Sequence, residues 1–299
     1  MRFLVTGSAG RLGRKLIPEL FWAGHEVIGV DILSSPVTHD PKWQTVTLDL
    51  MDNDALESLV RVNRPDVVIH AAAMTNVDKC ETERELAYQI NADLPARIAK
   101  ICRKHENRMV LISTDYVFDG SAGPYLESAQ PCPISYYGKT KLAGENEVLG
   151  ESKHNAVART CVLFGYEPES APDFVTWLLT KLRNNQPVNI VTDQYSTPTL
   201  TDNLSNGVRL IAEQSAQGIF HLTGADYLNR YEMALQIAEF AKLPVELISP
   251  VDGSKFTQIA PRPKLGGLLC NRAIDELGYI PLTFQKAMQE YYQQEAVKN

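Results

Sequence analysis

The chain has 299 residues, 44% of them hydrophobic and 22% charged, with a formal net charge of −7. That length suits one elaborated α/β domain, or a domain with a smaller lobe, and such a chain buries about three quarters of its unfolded surface. The acidic balance argues against nucleic acid or an anionic membrane as the main partner, so any bound phosphate must be held by local backbone N–H groups and a few arginines. Five scattered cysteines with no C-x-x-C pair exclude a disulfide framework and a zinc ribbon, and suit a reducing cytosol. No apolar run approaches the roughly 20 residues that span a bilayer. The first strand begins at residue 2, which leaves no room for a signal peptide. A cytoplasmic protein without a resident metal is expected.

Arg2–Thr6 reads as a short strand and runs directly into Gly7-Ser8-Ala9-Gly10-Arg11-Leu12-Gly13. Apolar residues at Leu12, Leu16, Ile17 and Leu20 then recur at helical spacing until Gly24, and a second strand, Val27–Val30, ends on Asp31. Glycines at the first turn of a βαβ unit, with an acid closing the second strand, predict a dinucleotide site. Gly7, Gly10 and Gly13 let the backbone approach a pyrophosphate, and the helix N-terminus supplies partial positive charge. Ala9, Arg11 and Leu12, in the same loop, complete the expected contacts. Asp31 can accept hydrogen bonds from both hydroxyls of an adenosine ribose, so the expected cofactor is NAD(H) or NADP(H), with a lean to NAD(H). A 2′-phosphate would meet the carboxylate unless Arg11 or Arg14 screened it.

The alternation continues. Thr45–Leu48 is a strand running into Asp49 and Leu50, and Ala55–Val62 is an amphipathic helix. Val67–Ile69 is a buried strand running into His70, Ala71, Ala72 and Ala73. Helices at Arg84–Gln89 and Pro95–Lys104 flank Asn91, and the strand Met109–Ile112 ends in Ser113-Thr114-Asp115. A further strand is expected over Ala156–Leu163. Strands nearly continuous in Val, Ile and Leu, alternating with helices, predict a doubly wound parallel α/β sheet of Rossmann type, covered on both faces. Ligands of such sheets bind at the carboxyl ends of the strands, where Gly7, Asp31, Asp49, Ala72, Ser113 and Thr114 fall. Beyond about residue 165 prolines break the pattern. Helices at Phe174–Leu182, Leu204–Glu213 and Tyr231–Ala241 remain, and Gly218–Leu222 reads as one more strand of the main sheet. The expected division is a dinucleotide domain over 1–165, joined by about 200–224, and a smaller mixed substrate lobe from 166–199 and 225–299.

Within Ser135-Tyr136-Tyr137-Gly138-Lys139-Thr140-Lys141 a tyrosine and a lysine, Tyr137 and Lys141, stand four residues apart at the start of a helix. Residues i and i+4 share a helix face, so an ammonium would lie within reach of a phenol. Lowering a phenol by roughly three units takes about 4 kcal/mol, which a cation in a dry site can supply. Tyr136 has Thr140 as its i+4 neighbour and so lacks a cation.

With Gly7/Gly10/Gly13, Ala71-Ala72-Ala73, Thr114 and Tyr137/Lys141 in place, the chain resembles the extended short-chain dehydrogenase/reductase superfamily. It resembles the dTDP-4-dehydrorhamnose reductases within it. That narrower match rests on residues 64–73 continued by Thr75, Val77, Asp78, Lys79 and Glu81, on 113–120 and on 137–145; 193–199 and Arg262-Pro263-Lys264 extend it through the C-terminal lobe. The resemblance implies a catalytic trio of Thr114, Tyr137 and Lys141 that reduces a 4-keto-6-deoxy sugar carried on a nucleoside diphosphate. In that analogy Tyr137 donates a proton, Thr114 hydrogen-bonds the same oxygen, and Lys141 holds the nicotinamide ribose. Asn91 matches an asparagine credited with a proton relay. Thr75, Val77, Asp115, Tyr116, Val162 and Arg262 are the implied substrate contacts. Tyr116 and Phe118 either line the pocket or pack, and Arg262 either grips the diphosphate or bridges the lobes. His70 stands where the family often has asparagine and reads as a core histidine.

Two departures fall on the substrate side. Val162 occupies a place where the family usually has a tryptophan against the sugar, and Gly266 one where it usually has a serine. Tyr116, Tyr166 and Phe164 are the nearest aromatics that could take the tryptophan's part. The rival readings are an NAD-dependent nucleotide-sugar epimerase or dehydratase, and a non-catalytic dinucleotide-binding partner. For the latter the chain resembles the regulatory β subunit of methionine adenosyltransferase through 115–120, 138–141 and 231–234. A homodimer is left open.

Overall fold

Short Val-, Ile- and Leu-rich runs separated by amphipathic helices leave each strand little choice but burial on both faces. In the computed structural model, which describes residues 1–33, 40–255 and 258–298, they form one parallel sheet. In chain order the elements are β1 (Arg2–Thr6), α1 (Arg11–Trp22), β2 (Glu26–Asp31), β3 (Trp43–Thr47), α2 (Asn53–Asn63), β4 (Val67–His70), α3 (Val77–Thr82), α4 (Arg84–Tyr88), α5 (Leu94–Lys104), β5 (Arg108–Thr114), α6 (Tyr136–Glu151) and β6 (Ala156–Thr160). There follow β7 (Leu163–Phe164), α7 (Phe174–Arg183), β8 (Val188–Val191), β9 (Tyr195–Ser196), β10 (Thr199–Leu200), α8 (Thr201–Glu213), β11 (Gly218–His221), β12 (Leu228–Asn229), α9 (Arg230–Ala241), β13 (Ile248–Val251), α10 (Asn271–Leu277) and α11 (Phe284–Lys298).

The seven-stranded sheet runs β11-β6-β5-β4-β1-β2-β3. The chain leaves β1 in one direction for β2 and β3, then returns to β4 on the other side. This reversal opens a crevice at the carboxyl ends of β1 and β4. Alternate side chains feed opposite layers: Phe3 and Val5 pack with Leu16, Ile17 and Val208 on one face, and Leu4 with Leu56, Leu94 and Ile98 on the other. A separate apolar cluster, built from α7, α9, α11 and the short strands among them, holds Val175, Leu178, Met233, Ile237 and Met288.

Two expected elements differ from the reading, both beside the crevice. The strand expected over Ala156–Leu163 stops at Thr160, because Val162 turns to φ 43° and the chain leaves the main sheet to pair β7 with β10. A β-branched residue in that region is strained, and such strain concentrates where function constrains the backbone. The helices around Asn91 are joined by a π-helical turn, Gln89–Asp93, so Asn91 lies inside a local widening of the helix.

Helix α6, which carries Tyr137 and Lys141, is tied to β6 by a buried ion pair. Arg159 Nε donates to both oxygens of Glu145 at 3.0 and 3.1 Å, and its Nη2 donates to Oε2 at 2.6 Å. Both side chains are at most 2% exposed. The guanidinium also lies 5.2 Å from the centre of the Phe118 ring. Removing one partner strands a buried charge, which costs about 3–5 kcal/mol, whereas replacing both by apolar groups is often neutral. Arg159→Met and Glu145→Gln should each lose about that much in urea unfolding, and Arg159→Met/Glu145→Met should recover most of it. A single variant as stable as wild type would show that the pair does not pin α6.

Candidate active site

The crevice is a cleft of about 680 Å³. At one end the glycine loop leaves no room for side chains. Gly7 adopts φ +73°, and a Cβ there would lie 2.7 Å from Ala72 N; a Cβ at Gly13 would lie 2.3 Å from Gly7 O. Gly10 is the N-cap of α1 and supplies no side-chain cap, so the first turn of the helix presents unbonded N–H groups at the cleft wall formed by Gly10, Arg11, Leu12 and Gly13. This is the concavity that a dinucleotide pyrophosphate requires, and the residues present fit one. Asp31, Asp49, Leu50 and Ala71–Ala73 line the same end. Asp31 Oδ2 accepts from Ala9 N at 2.9 Å and Oδ1 from Leu33 N at 3.1 Å. A carboxylate has about four lone-pair sites, so both oxygens keep capacity for a ribose.

At the other end stand Thr114, Tyr137 and Lys141. Ser135 caps α6 by accepting from Gly138 N at 3.1 Å, which sets Tyr137 in the first turn. Tyr116 meets the Tyr137 ring edge-on at 5.6 Å between centroids. Burial pushes the Tyr137 phenol above its usual value, with a hydrogen bond from Thr114 working against it. Burial also brings Lys141 down to about 8, opposed by the Glu145 charge one turn away. The expectation that Lys141 lowers the phenol is therefore not met in this arrangement. The physical reason is that Lys141 Nζ donates to Ile112 O at 2.7 Å and both groups lie in a dry site, where desolvation dominates the shift of each. Tyr137 accordingly keeps its proton through neutral pH. His70 hydrogen-bonds Thr6 Oγ1 through Nδ1 at 2.7 Å and is held neutral, its pKa lowered to about 3 by burial and then by the Lys141 charge. It is a core residue.

Of the expected substrate contacts, Thr75, Val77, Asp115, Tyr116 and Val162 line the cleft. Asp115 is buried and pushed up to about 6 by desolvation, against hydrogen bonds from Gly267 N–H and Thr114 and the Arg230 charge. Three expected residues stand back from it. Ala9 uses its N–H on Asp31. Asn91 accepts from Met74 N at 2.9 Å and donates to Met74 O and Thr140 Oγ1 at 3.0 and 3.2 Å, so its amide ties the π turn to the loop after β4 and to α6. Arg262 pairs with Asp78 Oδ2 at 3.0 Å and donates to Ala260 O at 3.1 Å, which is the lobe-bridging alternative. Phe118 packs, stacked on Tyr125 at 4.2 Å.

Sequence reasoning passed over Arg230, which lines the cleft from the start of α9. A single arginine in a proline-rich lobe carries no spacing signal, and only the folding of the lobe over the sheet brings it there. The two departures also gain a setting. Among the aromatics offered in place of a tryptophan at Val162, Tyr116 faces the cleft, whereas Phe164 is buried against Phe284 and Tyr166 stands edge-on to Tyr291. A Cβ at Gly266 would lie 3.0 Å from Asp115 Oδ2 and 3.1 Å from Tyr195 O, so a side chain there would require a shift of a few tenths of an ångström beside the site.

Lys141 gives a pH test. Its folded pKa of about 8 lies below the ordinary 10.5, so the unfolded chain binds more protons between those values. Stability from this group therefore rises with pH across that window, by up to about 3 kcal/mol. Lys141→Met removes the penalty, so its stability relative to wild type should be highest near pH 7 and fall by that amount toward pH 10.5. Denaturant unfolding at several pH values checks this, and a difference that stays flat would mean that Lys141 is not desolvated.

Comparison with known proteins follows the same lines. The family described as RmlD substrate binding domain matches residues 1–297. A crystal structure of a dTDP-4-dehydrorhamnose reductase from Clostridium acetobutylicum is 32% identical, covers 99% of this chain and 100% of its own, and superposes with a TM-score of 0.88. That of the Bacillus anthracis dTDP-4-dehydrorhamnose reductase in complex with NADP is 28% identical, with 98% and 99% covered and a TM-score of 0.88. Among curated relatives, methionine adenosyltransferase 2 subunit beta of Rattus norvegicus is 32% identical over 283 residues, covering 93% of this chain and 82% of its own. A glycine cradle, a Thr/Tyr/Lys wall and a match over nearly the whole length have one reading: the chain belongs to the RmlD substrate binding domain family, the dTDP-4-dehydrorhamnose reductase branch of the extended short-chain dehydrogenases/reductases.

Proposed function

We propose that this chain is an NAD(P)H-dependent reductase of a nucleotide-linked 4-keto-6-deoxy sugar, with dTDP-4-dehydrorhamnose as the first substrate to test. The observation that carries the reading is the meeting of Thr114, Tyr137 and Lys141 on one wall of a cleft whose far end is the glycine cradle. The cradle and the start of α1 would hold the pyrophosphate, Asp31 the adenosine ribose and Lys141 the nicotinamide ribose. The bound nicotinamide supplies the hydride. Tyr137, kept protonated by burial, gives its proton to the ketone oxygen as negative charge develops there; an alkoxide is a stronger base than a phenolate, so a raised phenol still serves as donor. Thr114 Oγ1 accepts from Tyr116 N and gives its one proton to Asp115 Oδ1; with the ketone bound, that proton turns from Asp115 to the same oxygen. The nucleotide-sugar lies across Thr75, Val77, Tyr116 and Val162. The same reading takes 1–165 with about 200–224 as the dinucleotide domain of a cytoplasmic enzyme, and 166–199 with 225–299 as its substrate lobe.

Tyr137→Phe should lower kcat at least about 10²-fold, the usual scale for losing a general acid. Cofactor affinity should change little. Tyr136, whose ring carries Arg84 at 5.0 Å and which is not among the cleft-lining residues, is the control, and Tyr136→Phe should be nearly silent. A Tyr137→Phe enzyme turning over near the wild-type rate would remove Tyr137 from the chemistry.

For the cofactor we propose that NADH serves at least as well as NADPH. Asp31 faces the site of a 2′-phosphate, and the two arginines that could screen it are engaged elsewhere. Arg11 bonds Asp173 at 2.8 Å and Gly165 O at 2.7 Å, and Arg14 bonds Ala9 O at 2.9 Å and pairs with Glu169. A kcat/KM for NADPH tenfold above that for NADH would overturn this. The second reading, a non-catalytic partner subunit, is favoured by the identity to the methionine adenosyltransferase subunit. Co-purification with a catalytic subunit, together with no turnover of any keto sugar, would select it.

A further inference from the structure

The cleft-lining cations are Arg11, Lys141 and Arg230, and they are not equally engaged. Arg11 is paired with Asp173, and Lys141 is bonded to the Ile112 carbonyl. Arg230 differs. Its guanidinium lies over the Phe174 ring at 5.1 Å, and among the described residues it has neither a carboxylate at ion-pair distance nor a side-chain hydrogen bond. Its backbone N–H donates to Gln194 O at 3.2 Å. The start of α9 is closed by the reciprocal Asn229–Glu232 capping box, so the side chain rather than the helix end is the free donor. Arg230 lines the same cleft as Asp115, Tyr116 and Thr114, and its charge bears on the Asp115 carboxyl.

We infer that Arg230 is the residue that grips the diphosphate of the nucleotide-sugar, and that Arg262 is not. The inference rests on the reductase reading of the site and deepens it. In a 4-keto sugar the reacting carbon lies across the pyranose ring from the anomeric oxygen that carries the diphosphate. The anion must therefore sit one sugar ring's width from Tyr137, on the side of the lobe. A guanidinium presents five donors in a planar fork that matches phosphate oxygens two at a time, and stacking on an aromatic ring holds that plane without using its N–H groups. Arg262, the other candidate, already uses Nη1 and Nη2 on Ala260 O and Asp78, and lies off the cleft wall.

The test is calorimetric binding of dTDP and UDP, with thymidine and uridine as diphosphate-free controls, to wild type, Arg230→Met, Arg230→Lys and Arg262→Met. Loss of charge-assisted hydrogen bonds to an anion should weaken dTDP or UDP binding about 10- to 100-fold in Arg230→Met, with an intermediate loss in Arg230→Lys. Nucleoside and NADH binding should be unchanged, a split that a merely structural role would not produce. Arg262→Met should lower stability and leave dTDP or UDP affinity near wild type. If Arg230→Met does not fold, Arg230→Lys decides: unchanged diphosphate affinity overturns the inference. So does a wild type that binds neither nucleoside diphosphate, or a loss confined to Arg262→Met. A wild type that binds dTDP through Arg230 but reduces no 4-keto sugar would leave the inference standing and remove the reductase reading.

Discussion

The buried pair between Glu145 and Arg159 is the constraint from which the site's geometry follows. Helix α6 meets the sheet with no other charge pair in its buried face among the described residues, and this one joins it to the strand that forms the next wall of the cleft. Glu145 is one turn from Lys141, which is one turn from Tyr137, so fixing the first fixes the heights of the other two. On its other side Arg159 covers Phe118, which packs on Tyr125 and so anchors the chain that leaves Thr114. One ion pair thus sets Tyr137, Lys141 and Thr114 relative to one another. A two-pronged Arg–carboxylate contact suits this because its planar fork fixes direction as well as distance.

Desolvation is the second theme. It raises the Tyr137 phenol, lowers Lys141 to about 8 and keeps His70 neutral at about 3. Burial thus disfavours the charged forms of Tyr137 and Lys141 on the cleft wall and of His70 in the core. A proton donor benefits from such a setting because its proton stays in place until negative charge appears on the acceptor. The same dryness makes every hydrogen bond from Thr114 or Tyr137 to a developing oxyanion count for more than it would in water.

Most of the arginines around the cleft serve architecture. Arg11, Arg14, Arg159 and Arg262 each tie one segment to another: the glycine loop to 165–173, α6 to β6, and α3 to the strap at 260–262. Arg230 stands apart, braced by an aromatic ring and facing the cleft.

What was legible in the sequence is what local pattern controls. The Val/Ile/Leu runs and the helical spacing of Leu12, Leu16, Ile17 and Leu20 determined a parallel sheet with its crevice at the strand ends, since burial on both faces favours that arrangement. Gly7, Gly10, Gly13 and Asp31 pointed to a dinucleotide site, and four-residue spacing put Tyr137 and Lys141 on one face. Tertiary structure alone decided the rest, because those features depend on partners far away in the chain. The expected strand through Leu163 breaks at Val162 since Thr199–Leu200 competes for its hydrogen bonds. Arg262 bridges because Asp78 is folded against it, and Arg230 reaches the cleft because the lobe brings the start of α9 there. The sign of the tyrosine's shift likewise depended on burial, which no spacing encodes: i and i+4 bring two side chains to one face, but how much water surrounds them is settled only when the whole chain has packed.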